Sequence, residues 1–193
     1  MSQLKTLCSC VLVMTALSYP LNLRAENKEP PPGAQEVKTI LKKIRKKHEK
    51  EYASKERQDL ILLAKQLVDE GKKEPDVRTK FGDFVAARDL ATNNGDASVA
   101  LEAIAAAADV FDIHVPTESI AVLSQTAKTV RDDQERTAFC DQAFTVLDQC
   151  IIRLDREKMT QVVFIIKSSV KSISSRDTVS RVNEALKDAP KRF

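Results

Sequence analysis

The chain contains little of what β-sheets and phosphate-binding loops are built from. Among its 193 residues are only four glycines, no tryptophan and 5% aromatic residues. The glycines, Gly33, Gly71, Gly82 and Gly95, stand apart from one another, and this excludes a glycine-rich nucleotide-binding loop. Such a composition, rich in Ala, Leu, Lys and Glu, predicts an all-α protein.

Histidine is equally scarce, with only His48 and His114 in the chain. Neither has a metal-ligand partner at helical spacing, so we expect structural or solvated roles for both. The adjacent carboxylates Asp132 and Asp133 are explained by a helix N-terminus, where negative charge is favourable. We therefore predict that the protein is not an enzyme and holds no metal or cofactor.

Two of the four cysteines, Cys8 and Cys10, lie near the N-terminus. Their surroundings resemble a lipoprotein motif, but almost no apolar segment precedes Cys10. The other two, Cys140 and Cys150, fall on one predicted helix, about 15 Å apart along its axis and beyond the reach of a disulfide. We expect both to be small buried residues.

The N-terminal 25 residues are typical of a secretory signal peptide. Lys5 precedes an apolar run over residues 7–17, which is too short to span a bilayer. Cleavage is expected after Ser18 or Ala25, and an uncleaved N-terminal anchor is the alternative. We predict export to a bacterial periplasm or to the medium, with no membrane span after cleavage.

Export changes the charge balance. The chain has 31 basic and 28 acidic residues, but residues 1–25 include Lys5 and Arg24 and no acid, so the processed protein is nearly neutral. A nucleic-acid partner is therefore not expected. Residues 26–33 contain three prolines and are predicted to form a stiff, solvated linker or to mark the start of the folded part.

Everything from residue 34 to residue 189 shows helical periodicity, and we predict one domain of seven or eight helices, with a basic tail over residues 190–193. The predicted helices run from Ala34 to about Lys50, Ser54 to Gly71, Pro75 to Asn94, Asp96 to Phe111, Pro116 to Ala127, Asp132 to Leu154, Asp155 to Ile173, and Ser175 to Leu186. The run Val162-Val163-Phe164-Ile165-Ile166 is assigned to a helix because the period extends beyond it in both directions.

The alanine-rich helix from Asp96 to Phe111 is apolar nearly all round, and this predicts cover on more than one side. Alanine permits close approach of neighbouring helices. Residues 89–111 align with residues 148–170 in their apolar register, with Asp96 on Asp155. We therefore predict antiparallel helical hairpins, stacked as in tetratricopeptide repeats or in a bundle.

Several short motifs resemble a group of secreted, alanine-rich, tetratricopeptide-like helical proteins of planctomycete bacteria. They have the forms E-Y, L-A-K-x-L, A-R-D-L-A, G-D, A-L-x-A-I and F-D, and are carried here by Glu51, Tyr52, Leu63, Ala64, Lys65, Leu67, Ala87, Arg88, Asp89, Leu90, Ala91, Gly95, Asp96, Ala100, Leu101, Ala103, Ile104, Phe111 and Asp112. The resemblance implies a helical fold and export. That group has no characterised function, so it implies no activity.

One surface feature stands out, a concentration of Lys and Arg over residues 38–57. The residues expected to contact an anionic surface are Lys42, Lys43, Arg45, Lys46 and Lys47. A solvated helix face is the simpler explanation of this pattern. Our first hypothesis is a non-enzymatic, exported helical scaffold that binds an unidentified protein or envelope component through its hairpins. The alternative is a peripheral envelope-binding module that uses the basic helix.

Overall fold

The computed structural model describes residues 28–188, which form nine α-helices and no β-strand. These are α1 (Ala34–Lys47), α2 (Glu49–Tyr52), α3 (Arg57–Lys73), α4 (Val77–Asn93), α5 (Ala97–Val110), α6 (Val115–Thr126), α7 (Asp133–Ile152), α8 (Arg156–Val170) and α9 (Arg176–Asp188). The all-α prediction is confirmed, and the run Val162 to Ile166 lies inside α8.

Aspartate side chains begin four of the helices. Asp76, Asp96, Asp132 and Asp155 each accept a hydrogen bond from the backbone N–H three residues later. A carboxylate at this position satisfies a donor that has no partner within the helix, and it meets the positive end of the helix dipole. The predicted starts at Asp96 and Asp155 are confirmed.

Several predicted boundaries are wrong by a few residues, among them the following three. The first helix ends at Lys47 rather than Lys50, because His48 leaves the helical backbone region and α2 follows as a separate turn. The second helix begins at Arg57, since the Ser54 hydroxyl accepts from the N–H of Glu56 outside the helix. The third begins at Val77, not Pro75, because Asp76 provides the cap.

The alanine-rich helix α5 is covered on several sides. It packs against α3, α4, α6 and α7, and its buried residues are Ala97, Val99, Ala100, Ala103, Ile104, Ala106 and Ala107. The methyl side chains let these helices approach closely without a loss of helix propensity. The prediction of a central helix covered on more than one side is confirmed.

Two main clusters of buried side chains lie on either side of α5. One is built mainly from α1, α3, α4 and α5, and the other mainly from α6, α7, α8 and α9. Leu101 of α5 packs against both clusters. Consecutive helices therefore stack along the chain around a continuous interior.

The hairpins α4–α5 and α7–α8 have the same turn geometry. Gly95 and Leu154 have positive φ angles of 82° and 56°. The N–H groups of Asp96 and Asp155 each donate to the carbonyl five residues earlier, at 2.9 and 3.0 Å, as in a Schellman motif. The sequence spacing that relates Asp96 to Asp155 also relates the ends of α4 and α7 and the starts of α5 and α8.

The proline-rich segment is largely exposed, as predicted, but it is bound to the domain. The N–H of Glu29 donates to the carbonyl of Val110, and the carbonyl of Glu29 accepts from Asp112, both at 2.9 Å. Lys28 Nζ donates to the carbonyl of Ala108. The segment thus satisfies carbonyl groups at the C-terminus of α5, which have no partner within that helix.

Candidate functional site

The outward face of α1 carries the basic residues singled out from the sequence. Lys42, Lys43 and Lys46 are exposed, and none of the three forms an ion pair or hydrogen bond with another residue in the range 28–188. We call these three lysines the basic face. They lie within about one turn of each other, so their charges add at any surface that approaches α1.

The other two predicted contact residues have partners within the domain. The guanidinium of Arg45 lies 5.4 Å from the ring centre of Tyr52, within the distance of a cation–π interaction. Both residues line a shallow groove, together with Lys42 and Lys46 of the basic face. Glu49 also borders the groove and partly offsets its positive charge.

Lys47 points away from the basic face, towards α3. Its Nζ lies 2.6 Å from Oε2 of Glu70, and the same oxygen lies 3.3 Å from Nε2 of His48. The side-chain hydrogen bond with Glu70 raises the pKa of Lys47 above its ordinary value of 10.5. Lys47 therefore attaches α1 to α3 and is not free for a partner.

Glu70 is the centre of this attachment. Burial opposes its ionisation, but hydrogen bonds from Lys47 and Gln66, at 2.6 and 2.8 Å, outweigh that effect and lower the pKa of Glu70 below 4.5. His48 is 5% exposed and lies under the end of α1. The structural role expected for His48 agrees with this position, although the sequence did not indicate its partner.

Asp83 is a second carboxylate near the same interface and was missed in the sequence. It lies on α4, is 3% exposed, and forms no hydrogen bond with any described residue. Burial, reinforced by the negative charge of Glu70, raises the pKa of Asp83 from 3.8 to about 7, while Lys47 acts in the opposite direction. The position of Asp83 next to Gly82 on a helix gave only a weak signal, since buried aspartate is rare.

Both cysteines of α7 are buried, as predicted, and both are free. Burial raises the pKa of Cys140 to about 11 and that of Cys150 above 9.0. A raised pKa leaves little of the reactive thiolate at neutral pH. Cys8 lies outside the described residues, as does Cys10.

The remaining predicted polar residues have structural partners within the domain. His114 precedes α6, and its Nδ1 lies 2.7 Å from Oγ1 of Thr117. Asp132 caps α7, and Asp133 accepts a hydrogen bond from the N–H of Ser174 at 2.9 Å. Within residues 28–188, no group of three or more His, Cys, Asp or Glu side chains is arranged to hold a metal ion.

A half-open apolar pocket of about 160 Å³ lies between α4 and α5. Phe81 and Ile104 are among its walls, and Pro31 of the N-terminal segment borders it. The ion pair of Arg88 with Glu118, at 2.8 Å, lies at its edge. Its volume suits a group no larger than a benzene ring, well below the usual size of ligand pockets.

None of the helices in the described part of the chain has both the length and the apolar character needed to cross a membrane. No protein-family model, curated protein or solved structure matches the chain. The resemblance to planctomycete proteins therefore stays a prediction, and the function is inferred from the surface of the molecule itself.

Proposed function

We propose that the protein is a non-enzymatic, exported helical scaffold that binds an anionic surface of the cell envelope through the basic face of α1. The observation that carries this proposal is that Lys42, Lys43 and Lys46 form no ion pair within the described residues. Unpaired cations that are close together attract an anionic surface without first breaking ion pairs of their own.

The pairing of cations elsewhere supports this assignment. Lys72 is bound to Glu102 at 2.7 Å, and Arg88 to Glu118 at 2.8 Å. Among the exposed lysines without an ion pair, Lys65 has no other lysine within one turn of α3, and Lys167 and Lys171 form a pair at the end of α8. The basic face brings three such lysines together within about one turn of α1.

Two triple variants test the proposal. Replacement of Lys42, Lys43 and Lys46 by Gln removes the basic face, and replacement of Lys65, Lys167 and Lys171 by Gln makes the same change in net charge elsewhere. Each lysine near an anionic membrane surface contributes about 1 kcal/mol, so the first variant should bind vesicles with anionic lipid roughly 100-fold more weakly. The control variant should bind nearly as tightly as the original protein.

Ionic strength provides the second arm of this test. Binding to anionic vesicles or to purified envelopes should weaken as salt rises, because the Debye length falls from about 10 Å at 0.1 M to about 3 Å at 1 M. Sedimentation that is unchanged at high salt, or equal losses in the two triple variants, would refute the proposal. Export itself is tested by the mass and N-terminal sequence of the extracytoplasmic protein.

Exposed apolar residues favour a second candidate function, which is binding of another protein through the helical hairpins. Ile152, Leu154 and Phe164 are 80%, 73% and 71% exposed, and all three lie on or beside the α7–α8 hairpin. Their counterparts in the α4–α5 hairpin, by the alignment of Asp155 with Asp96, are small or polar: Asn93, Gly95 and Ala105. We propose that the two hairpins are copies of one tetratricopeptide-like unit, of which the second binds the partner.

Substitutions at this surface separate the two candidates. Because the side chains of Leu154 and Phe164 are mostly exposed, replacing both by Ser should cost little stability. The double variant should lose a partner protein that the original chain retains from the extracytoplasmic fraction, and it should still sediment with anionic vesicles. Unchanged retention of that partner would exclude the hairpin surface.

A further inference from the structure

We propose that the groove between α1 and α2 is a binding site for a terminal phosphate group, a phosphomonoester displayed on the envelope surface. Lys42, Arg45 and Lys46 of α1 border the groove, together with Glu49 and Tyr52 of α2. The inference rests on the proposed function, because Lys42 and Lys46 belong to the basic face. It names the chemical group that this face selects among anionic ligands.

The groove lies where α1 ends and α2 begins. His48 separates the two helices, since its backbone leaves the helical region with φ of −110° and ψ of 34°. Side chains of both helices line the groove, and its volume is about 560 Å³. This volume is in the range of ordinary ligand sites, so the groove admits a phosphate group together with the glycerol or sugar unit that carries it.

The three cations of the groove lie on one side of α1. Lys42, Arg45 and Lys46 are three and four residues apart, a spacing at which side chains are neighbours on a helix. All three are exposed, and none of them forms an ion pair with another residue of the range 28–188. An anion that enters the groove therefore contacts them without displacing a carboxylate.

Tyr52 positions the guanidinium of Arg45. The Cζ atom of Arg45 lies 5.4 Å from the centre of the Tyr52 ring, and Tyr52 is itself partly buried against the core that α1, α3, α4 and α5 share. A guanidinium that lies over a ring keeps the N–H groups at its edge free to donate. These N–H groups form no hydrogen bond with the described residues. They can therefore donate two parallel hydrogen bonds to one phosphate.

The net charge of the groove favours a phosphomonoester over other anions. Three cations and one carboxylate, that of Glu49, line the groove, so two positive charges remain uncompensated. A phosphomonoester has a charge of about −1.5 to −2 at pH 7 and compensates them almost completely. A phosphodiester or a carboxylate has a single negative charge, and it leaves about one positive charge in the groove without a counter-charge.

The surface around the groove offers no apolar side chain for insertion into a lipid layer. In the part of the chain that the structure describes, the exposed large apolar residues all lie outside α1 and α2: Leu62, Val77, Ile152, Leu154 and Phe164. Binding at the groove therefore depends on the phosphate group rather than on acyl chains. A lipid headgroup and a phosphorylated sugar both provide that group.

Vesicles of equal zeta potential test the preference of the whole protein. Binding to phosphatidic acid, a phosphomonoester, should be about tenfold tighter than binding to phosphatidylglycerol, a phosphodiester, as expected for one additional hydrogen bond from a charged group. Arg45→Lys keeps the charge but lacks the planar fork of donors, so it should remove most of this preference. Lys42→Gln should also lower the ratio of the two affinities. Lys43→Gln, which removes a charge outside the groove, should weaken binding to both vesicles and leave the ratio unchanged.

A soluble phosphomonoester separates the phosphate site from the proposed function. Glycerophosphate should displace the protein from phosphatidic acid vesicles, whereas acetate at the same ionic strength should not, and it should shift the NMR signals of Arg45 and Tyr52. Equal binding to the two vesicle types, or an equal ratio in Lys42→Gln and Lys43→Gln, overturns the phosphate site and leaves the basic face as a general electrostatic surface. If neither vesicle is bound but glycerophosphate shifts these signals in the original protein and not in Arg45→Lys, the site stands and the proposed envelope surface is wrong. No response to any of these probes overturns both.

Discussion

Replacement of Gly95 by Ala should lower the stability of the folded protein for two separate reasons. Gly95 ends the turn between α4 and α5 with φ of 82°, a conformation that costs a residue with a side chain about 1–2 kcal/mol. A Cβ atom there would also overlap Nη2 of Arg57. Gly95→Ala therefore combines backbone strain with displacement of a neighbouring cation.

The second part of the cost can be worked out from the contacts of Arg57. Its guanidinium donates to the carbonyl of Asn94 at 2.5 Å and to Glu135 at 3.0 Å, with a longer contact of 3.4 Å to the carbonyl of Thr129. Hydrogen bonds of a charged group contribute about 1.5–3 kcal/mol. A smaller unfolded-state effect of about 0.4–1 kcal/mol favours Ala, so the net destabilisation should be about 3 kcal/mol.

A double-mutant cycle in urea denaturation separates these two parts. In an Arg57→Ala background the steric conflict is gone, and Gly95→Ala should cost only about 1 kcal/mol, which gives a coupling energy of about 2 kcal/mol. Equal costs in the two backgrounds would refute the steric argument. A cost below about 0.5 kcal/mol in the original protein would refute the strain argument as well.

Two further substitutions test individual contacts. Gly82→Ala should weaken the attachment of α1, because the new methyl group overlaps Ile40 and such overpacking costs about 1–3 kcal/mol. Hydrogen exchange of the α1 amides should accelerate, while that of the α8 amides stays unchanged. Equal acceleration in both helices would contradict the expectation. Thr126→Val should raise the free energy of unfolding by about 1 kcal/mol. The Thr126 hydroxyl is buried without a hydrogen-bond partner among the described residues, and an unsatisfied buried polar group destabilises the folded state. A thermal melting point that falls in Thr126→Val would show that the hydroxyl does have a partner.

Helix positions were predictable because they depend on neighbours in sequence. Asp96 and Asp155 indicated helix starts from their place before apolar periodic runs, and both are caps in the structure. The break at His48 was not predictable, since the helical pattern of α1 continues through it and the side chain is buried against α3. Local propensity identifies a helix, but tertiary packing selects where its end falls.

The basic residues show the same division at the candidate site. Composition and spacing placed five cations on one helix, but they could not separate Lys47, which binds Glu70, from Lys46, which has no ion pair within the described residues. The partner of Lys47 is a carboxylate of α3, and periodicity contains no information on which helix lies across. The sequence therefore located the cations on α1, and the structure showed which of them are paired.

What the amino-acid sequence determined alone is the all-helical character of the chain, its main helix starts and the alanine-rich helix covered on several sides, because these follow from the spacing of apolar and capping residues. Only the tertiary structure decided which charges are free and which are buried. Asp83 is an ordinary helical aspartate until α3 packs beside it, and burial together with the charge of Glu70 then raises its pKa to about 7. The electrostatic energy of a group depends on solvent access and on charges brought together by folding, and neither is set by its neighbours in sequence.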